Sequence, residues 1–236
     1  MYLSIVIPAY NEEKRIKATL SNIYDFLRAK GFDYEVIVVD DGSADKTVVE
    51  AQGSSLFTEG NLCVIKNWIN VGKGFSVKRG ILATKGEYVL FTDADLSTPI
   101  EELDKLLGVM SEGYDIVIGS RSAIDSDVRI HQPWYRERMG KVFNAFVKLF
   151  LLEEFNDTQC GFKLFKGDAA RRLALLLKID SFCFDVELLY LAKLKGYKVK
   201  EAGVVWNNSP QSKVRAVASS VSMFIDLIKI KKLHRD

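Results

Sequence analysis

Cysteine is scarce in this chain, net charge is close to zero and no long apolar run occurs, and each absence removes a class of protein. The three cysteines, Cys63, Cys160 and Cys183, form no close pair and no metal-ligand spacing. That excludes a disulfide scaffold and fits reduced, mostly buried thiols in a reducing compartment. Net charge is +2, so no overall field draws the molecule to nucleic acid. No segment approaches the roughly 18 uncharged apolar residues of a membrane span. The N-terminus enters a strand at once, without the basic region, apolar core and cleavage site of a signal peptide. No linker, internal repeat or low-complexity stretch divides residues 1–236, which read as one continuous domain. What is present is an ordinary hydrophobic fraction of 48%, enough for one sizeable α/β core. The expectation is a soluble or peripheral protein.

Leu3-Ser4-Ile5-Val6-Ile7-Pro8 reads as a first strand, ended by Pro8-Ala9-Tyr10-Asn11. Ile16, Leu20, Ile23, Tyr24 and Leu27 recur at helical spacing within 12–30, and Gly31 stops that helix. A strand over 34–39, a helix over 45–56 and a short strand over 62–65 follow. Asn70-Val71-Gly72-Lys73-Gly74 then opens a helix to about residue 84, before a strand, a helix over 100–110 and a strand over 115–119. Such alternation implies parallel strands joined by right-handed crossovers. Beyond Arg121 come a polar loop over 122–133 holding Arg129 and His131, and an aromatic-rich helix over 134–152. A loop from Asp157 then leads into a strand, and helices over 167–177 and from 184 to about 196 follow. The last strand is expected over 198–206, then a polar loop through Lys213 and a final amphipathic helix.

The chain is organised around Tyr88-Val89-Leu90-Phe91-Thr92-Asp93-Ala94-Asp95. The apolar run reads as a strand buried on both faces, so the acids must emerge where it leaves the sheet. That carboxyl edge is where open α/β sheets bind ligands. A turn after Asp93 lets both acids face one pocket, with Ala94 leaving room for a ligand. The pair suits a divalent cation carrying a phosphate; taken alone, it equally suits a helix-capping turn. Tyr10-Asn11-Glu12, Asp40-Asp41, 70–73 and Ser120-Arg121 also follow strands and share that edge. Asp40-Asp41-Gly42-Ser43 can read a base or ribose, or cap the next helix. Lys73 lacks a P-loop around it but stands at a helix start, where anions are favoured. Arg121, Arg129, Arg136 and Arg138 offer paired donors for phosphate. His131 reads as a loop residue and Trp206 as rim or core packing.

Four stretches in this order resemble the family 2 glycosyltransferases of the GT-A fold: 5–13, 38–43, 70–74 and 91–95. In the second half Gly119-Ser120-Arg121, Asp157-Thr158-Gln159-Cys160-Gly161-Phe162-Lys163 and Phe184-Asp185-Val186-Glu187 resemble dolichyl-phosphate β-glucosyltransferases and related polyprenyl-phosphate enzymes. The resemblance implies a mostly parallel α/β sheet flanked by helices. It implies a nucleotide-sugar half over about 1–121 and an acceptor half over about 122–236; by their own spacing the helices over 134–152 and at the C-terminus would either face a membrane surface or cover the core. Pro8, Tyr10, Glu12 and Asp40 would hold uridine, with Asp93, Ala94 and Asp95 near ribose, sugar and an Mg²⁺ or Mn²⁺ ion; Asp95 would be the main metal ligand. Lys73 and Arg121 would meet phosphates, while Asp157 and Gln159 would line the sugar pocket, with Gln159 and Arg121 counted among the catalytic residues. Arg121, Arg129 and Lys213 would face the acceptor phosphate. The implied reaction moves a hexose, glucose first, from a UDP-sugar to dolichyl or polyprenyl monophosphate, at the cytoplasmic face of a membrane. A hydroxyl acceptor is the alternative, with Asp185 as its base; a non-catalytic sugar-nucleotide module is another. Two departures stand out: Ser97 where mannosyl relatives place a third metal ligand, and Asn207-Asn208-Ser209-Pro210-Gln211 where glucosyl relatives carry an acidic loop. Val217, Val221, Phe224, Ile225 and Ile228 are expected on one apolar face of the last helix, before Lys229, Lys231, Lys232 and Arg235.

Overall fold

The structure is a computed structural model that describes residues 1–130, 134–208 and 216–234. The side chains of residues 135, 136 and 216–222 lie outside that description, as do His131 and Lys213. Strand β1 (Leu3–Ala9) pairs in parallel with β2 (Tyr34–Asp40) and β4 (Tyr88–Thr92), and β2 pairs in parallel with β3 (Leu62–Lys66). These are four of the five strands expected in the parallel half. The next strand, β5 (Ile116–Ser120), does not join β4. Strand β7 (Phe162–Lys166) lies antiparallel between them, and β8 (Val199–Gly203) extends the sheet beyond β5. Phe162-Lys163-Leu164-Phe165 is almost wholly buried on both faces, a pattern that fixes burial but not strand direction. One consequence shapes the site: β7 starts opposite Thr92. The loop feeding β7 therefore shares the carboxyl edge of β1 to β5.

Alternation along the strands divides the core. Val6, Val89, Phe91, Ile116, Ile118 and Phe165 point to one layer; Ile5, Ile7, Val36, Leu90, Val117 and Leu164 point to the other. The first layer is covered by α4 (Lys73–Leu82), α6 (Trp134–Phe150), α7 (Gly167–Leu176), α8 (Phe184–Leu194) and α9 (Ala216–Leu233). The second is covered by α1 (Ile16–Lys30) and α5 (Glu102–Met110), with the short α2 (Thr47–Gln52) and α3 (Ser55–Thr58) beside them. The single helix expected over 45–56 is two, because Gly53 closes the first and Ser54 is extended. The expected loop over 122–133 contains β6 (Asp127–Ile130), paired in parallel with β9 (Val205–Asn207). The last strand is thus split: β8 stays in the main sheet while β9 leaves it for β6.

Helix α9 corrects one expectation. Met223, Leu227 and Ile230 face the core, Phe224 packs edge-on against Phe143 and Phe146 of α6, and Ile225 and Ile228 face outward. The residues assigned to one face are therefore divided, because this helix is apolar around most of its circumference and either side fits a core. Val217 and Val221 are outside the described side chains.

Candidate active site

The turn after β4 brings the two acids together as expected. Leu96 N–H donates to the Asp93 carbonyl at 3.2 Å, and Leu96 itself takes φ +44°, costly for a leucine. Asp93, Ala94 and Asp95 consequently line one cavity of about 360 Å³, with Pro8, Tyr10, Glu12, Arg15, Asp41, Asn70, Lys73 and Phe182 among its other walls. Turns after β1 and β2 are knitted to each other. Asn11 N–H donates to Ser43 Oγ at 2.8 Å, Glu12 N–H to Thr47 Oγ1 at 2.7 Å, and Ala44 N–H to Asn11 Oδ1 at 2.9 Å.

Charge in this cavity is arranged in opposed pairs. Lys73 Nζ lies 2.7 Å from Asp93 Oδ1, and Arg15, ion-paired to Glu12, has Nη1 3.9 Å from Asp95 Oδ2. Burial and the neighbouring Asp93 push the Asp95 carboxyl above its ordinary range, against hydrogen bonds from Ser97 and the charge of Arg15. Burial alone would lower Lys73, but Asp93, Asp185 and Asp95 raise it, so the ammonium stays charged. Four carboxylates, Glu12, Asp41, Asp93 and Asp95, line the cavity against two cations, Arg15 and Lys73, which leaves room for added positive charge. The donor set therefore fits a hard divalent cation that completes its shell with water and phosphate oxygens. Among the described residues no group of three or more His, Cys, Asp or Glu side chains forms a ready-made cage.

The two aspartates after β2 have different tasks. Asp41 accepts hydrogen bonds from Asn67 Nδ2, Asn70 Nδ2, Val71 N–H and Gly72 N–H at 2.8–3.1 Å, so it builds the turn that carries Lys73. Asp40 is fully buried; its Oδ2 accepts from Ser43 N–H at 3.2 Å and its Oδ1 has no partner. That oxygen is an exception among buried polar atoms, nearly all of which are hydrogen-bonded.

A second cavity of about 360 Å³ lies at the ends of β5 and β9, lined by Arg121, Lys141, Asn144, Asn156, Asp157, Gln159 and Trp206 among others. Arg121 clamps Asp157 through both carboxylate oxygens, Nε to Oδ2 at 2.7 Å and Nη2 to Oδ1 at 2.8 Å, and its guanidinium lies 5.5 Å over the Trp206 ring. Burial would raise Asp157, but Arg121 holds it below the usual carboxylate range. Asn144 Nδ2 donates to the Asn156 carbonyl, leaving its buried Oδ1 unpartnered. Gly161, two residues past Gln159, carries the carbonyl that accepts from Asp93 N–H at 3.1 Å. A side chain at 161 would put Cβ 1.9 Å from Asp93 Oδ2, so the segment after Gln159 packs directly on the Asp93 carboxylate. Arg129 is not brought to either. It is exposed on β6 and pairs with Asp127 at 2.8 Å. Lys213 falls outside the described residues.

Residues 4–174 match the model of glycosyl transferase family 2. The chain belongs to glycosyltransferase family 2. This glycosyltransferase is 37% identical to the dolichyl-phosphate β-glucosyltransferase of Dictyostelium discoideum, over 98% of this chain and 74% of that protein. It is 38% identical to the Drosophila melanogaster enzyme of the same name and 34% identical to the human one, each over 97% of this chain and 74% of the relative. Among solved structures it resembles glucosyl-3-phosphoglycerate synthase of Mycobacterium tuberculosis with Mg²⁺ and uridine diphosphate, at TM-score 0.70 and 21% identity, over 97% of this chain and 79% of that one. That likeness establishes the fold, a GT-A sheet flanked by helices.

Sequence reasoning missed Arg15, Phe182, Lys141 and Asn144; of the two acids after β2 it named Asp40 for uridine, while Asp41 is the one that lines the cavity. Arg15 had a signal, lying three residues after Glu12 where the two can pair on one turn. Phe182 had none, since its approach depends on how α8 docks.

Proposed function

We propose that this family 2 enzyme transfers glucose from UDP-glucose to dolichyl phosphate with inversion, taking the donor in the Asp93–Asp95 cavity and the acceptor phosphate in the Arg121 cavity. The relatives named dolichyl-phosphate β-glucosyltransferase support the substrates. The observation that carries the acceptor class is the state of Asp185. A hydroxyl acceptor needs a general base, and Asp185 is the acid the sequence offers. In the structure Asp185 is 3% exposed and its Oδ1 is 2.5 Å from the buried Nζ of Lys163, which also donates to the Cys160 carbonyl at 2.6 Å. It is committed to a structural ion pair. A phosphate monoester needs no base, because its second ionisation lies near pH ~6.

The chain's own residues then position and neutralise. The wall from Pro8 to Glu12, backed by the buried Asp40 at the end of β2, orients the uridine. Asp95 and Asp93 hold Mg²⁺ or Mn²⁺, which when bound supplies Lewis-acid stabilisation of the leaving diphosphate. Lys73 and Arg15 supply fixed positive charge to the same cavity. Arg121 is pinned by Asp157 so that its remaining N–H groups and Lys141 receive the acceptor phosphate, while Gln159 and Trp206 bound the sugar. Aligning two reactants in this way contributes on the order of 7–11 kcal/mol.

Residues 1–121 form the donor half and the remainder the acceptor half. Among the described residues no helix is long and apolar enough to cross a membrane. A lipid acceptor is instead met at a surface: α6 and α9 expose Val142, Leu149, Phe150, Ile225 and Ile228 beside Lys141, Lys229, Lys231 and Lys232. Lysines near anionic headgroups contribute about 1 kcal/mol each, which suits peripheral attachment at a cytoplasmic face. Thermal shift with Mn²⁺ and a panel of UDP-sugars tests the donor assignment. A ligand at 100 times its Kd stabilises by about 2.7 kcal/mol, so UDP-glucose should raise Tm by several degrees; no shift with any UDP-sugar would overturn it.

A further inference from the structure

Residues 178–184 lie between the C-terminal end of the chain and the donor cavity, and both sides grip them through specific polar contacts. On the donor side, the Asp180 carbonyl accepts from Gly74 N–H at 2.8 Å and Phe75 N–H at 3.3 Å. Gly72, at φ +135°, packs so closely that a Cβ would lie 2.3 Å from that carbonyl oxygen. Lys73, between the two glycines, faces Asp93 and lies 5.9 Å from the ring centroid of Phe182, itself a wall of the cavity. The donor-site lysine is seated on this segment.

On the far side two buried carboxylates hold the segment. Glu187 is fully buried, accepts from Lys178 N–H at 3.0 Å and Ile179 N–H at 2.9 Å, and meets His234 Nε2 at 2.7 Å. Lys178 Nζ in turn donates to the Leu233 carbonyl at 2.9 Å. Asp226 of α9, 6% exposed, accepts from Ser181 Oγ at 2.6 Å, and Ser181 Oγ accepts from Cys183 N–H at 3.2 Å. Burying a carboxylate is costly unless it is paired, so neither is an incidental contact. Hydrophobic packing alone would hold α9 in place. These groups additionally fix where the backbone of 178–183 lies.

We propose that Glu187–His234 and Asp226–Ser181 are two latches by which the C-terminal helix positions Lys73 and Phe182, so that these four are positioning residues for donor binding. The inference rests on the reading of the Asp93–Asp95 cavity as a nucleoside-diphosphate site. Its reach is through backbone placement: when a latch opens, Asp180 loses its seat against Gly74, and Lys73 loses its fixed relation to Asp93.

Calorimetric titration of UDP with Mn²⁺ into the full-length chain tests this. His234→Ala and Ser181→Ala should each weaken UDP binding about fivefold, the worth of one hydrogen bond, while Ser181→Thr, which keeps the hydroxyl, binds like the parent. Lys193→Ala, which removes an exposed ion pair to Glu154 on the same α8, should change nothing. In a Lys73→Ala background His234→Ala should lose most of its effect, keeping only the part that acts through Phe182, because non-additivity marks a shared route. Circular dichroism reports folding; if His234→Ala does not fold, Ser181→Ala on the other latch carries the same test. Parent-like UDP affinity in the folded latch variants overturns the proposal alone. Equal losses from His234→Ala with and without Lys73 also overturn it. A parent chain that binds no UDP overturns the cavity assignment, and the proposal with it.

Discussion

Lys163 and Asp185 are 1% and 3% exposed, with Nζ and Oδ1 2.5 Å apart. Lys163→Met leaves Asp185 buried beside the more distant Lys73; Asp185→Leu leaves the ammonium with the Cys160 carbonyl and the face of Phe91, 5.7 Å from its centroid. Removing one partner of a buried pair costs about 3–5 kcal/mol. At about 2–4 °C per kcal/mol for a chain of this size, Tm should fall by roughly 6–20 °C in each single variant. The double variant Lys163→Met/Asp185→Leu has no charge to strand and should recover most of the loss, with a coupling energy of about 3 kcal/mol. Denaturant unfolding followed by tryptophan fluorescence measures all four proteins. Activity gives the second half of the test: the folded double variant should keep turnover within about tenfold of the parent, since each lost factor of ten reflects only 1.4 kcal/mol of altered positioning. A double variant as unstable as the worse single would show that the two side chains do not act as a unit. A stable double variant with at least a thousandfold loss of turnover, about 4 kcal/mol, would make Asp185 a chemical participant and restore the hydroxyl acceptor.

Asp95→Asn should abolish turnover without loss of stability. The folded carboxyl is shifted upward by burial and Asp93, so its ionised form is a net cost above the unfolded value of ~3.9, and Tm at neutral pH should be unchanged or higher. Asp157 behaves oppositely: held low by Arg121 against the effect of burial, it stabilises above its unfolded pKa of about 4 and loses that contribution as pH falls through its lower folded value. Arg121→Ala should therefore lower stability at neutral pH and move the acid loss to higher pH, measured by thermal melts from pH 2 to about 7. Asp41→Ala strands the Val71 and Gly72 N–H groups and takes one of two acceptors from each of the Asn67 and Asn70 amides, and should cost about 3 kcal/mol in denaturant unfolding; a cost under about 1 kcal/mol would mean the 67–72 turn holds without it. Ile228→Glu, exposed on α9, should reduce sedimentation with anionic liposomes while leaving Tm within about 1 °C, as surface changes do.

Much of the donor cavity is legible from local chemistry. Asp93 and Asp95 follow an apolar run that must be buried, so the acids must surface at its end, and Pro8, Tyr10, Glu12 and Lys73 lie at or after strand ends on the same edge. The direction of β7 is not legible, because a strand buried on both faces has the same pattern either way. Nor is the division of labour between Asp40 and Asp41. Adjacent residues at a strand end diverge, and which one enters the pocket depends on the turn beyond. Arg129 shows the limit of composition: a cation in a polar loop near Arg121 invites a phosphate role, and β6 carries it to solvent beside Asp127, away from both cavities. The burial of Asp185 depends on Lys163, a partner 22 positions away that ordinary composition places on the surface.

Transfer of radiolabelled glucose from UDP-glucose, with Mn²⁺, to dolichyl phosphate against dolichol as the paired acceptor tests the central claim most directly. Label should pass into organic solvent with dolichyl phosphate, be absent with dolichol, and disappear in Asp95→Asn. Label carried by dolichol, or none carried by dolichyl phosphate in a chain that binds UDP-glucose, would contradict the account.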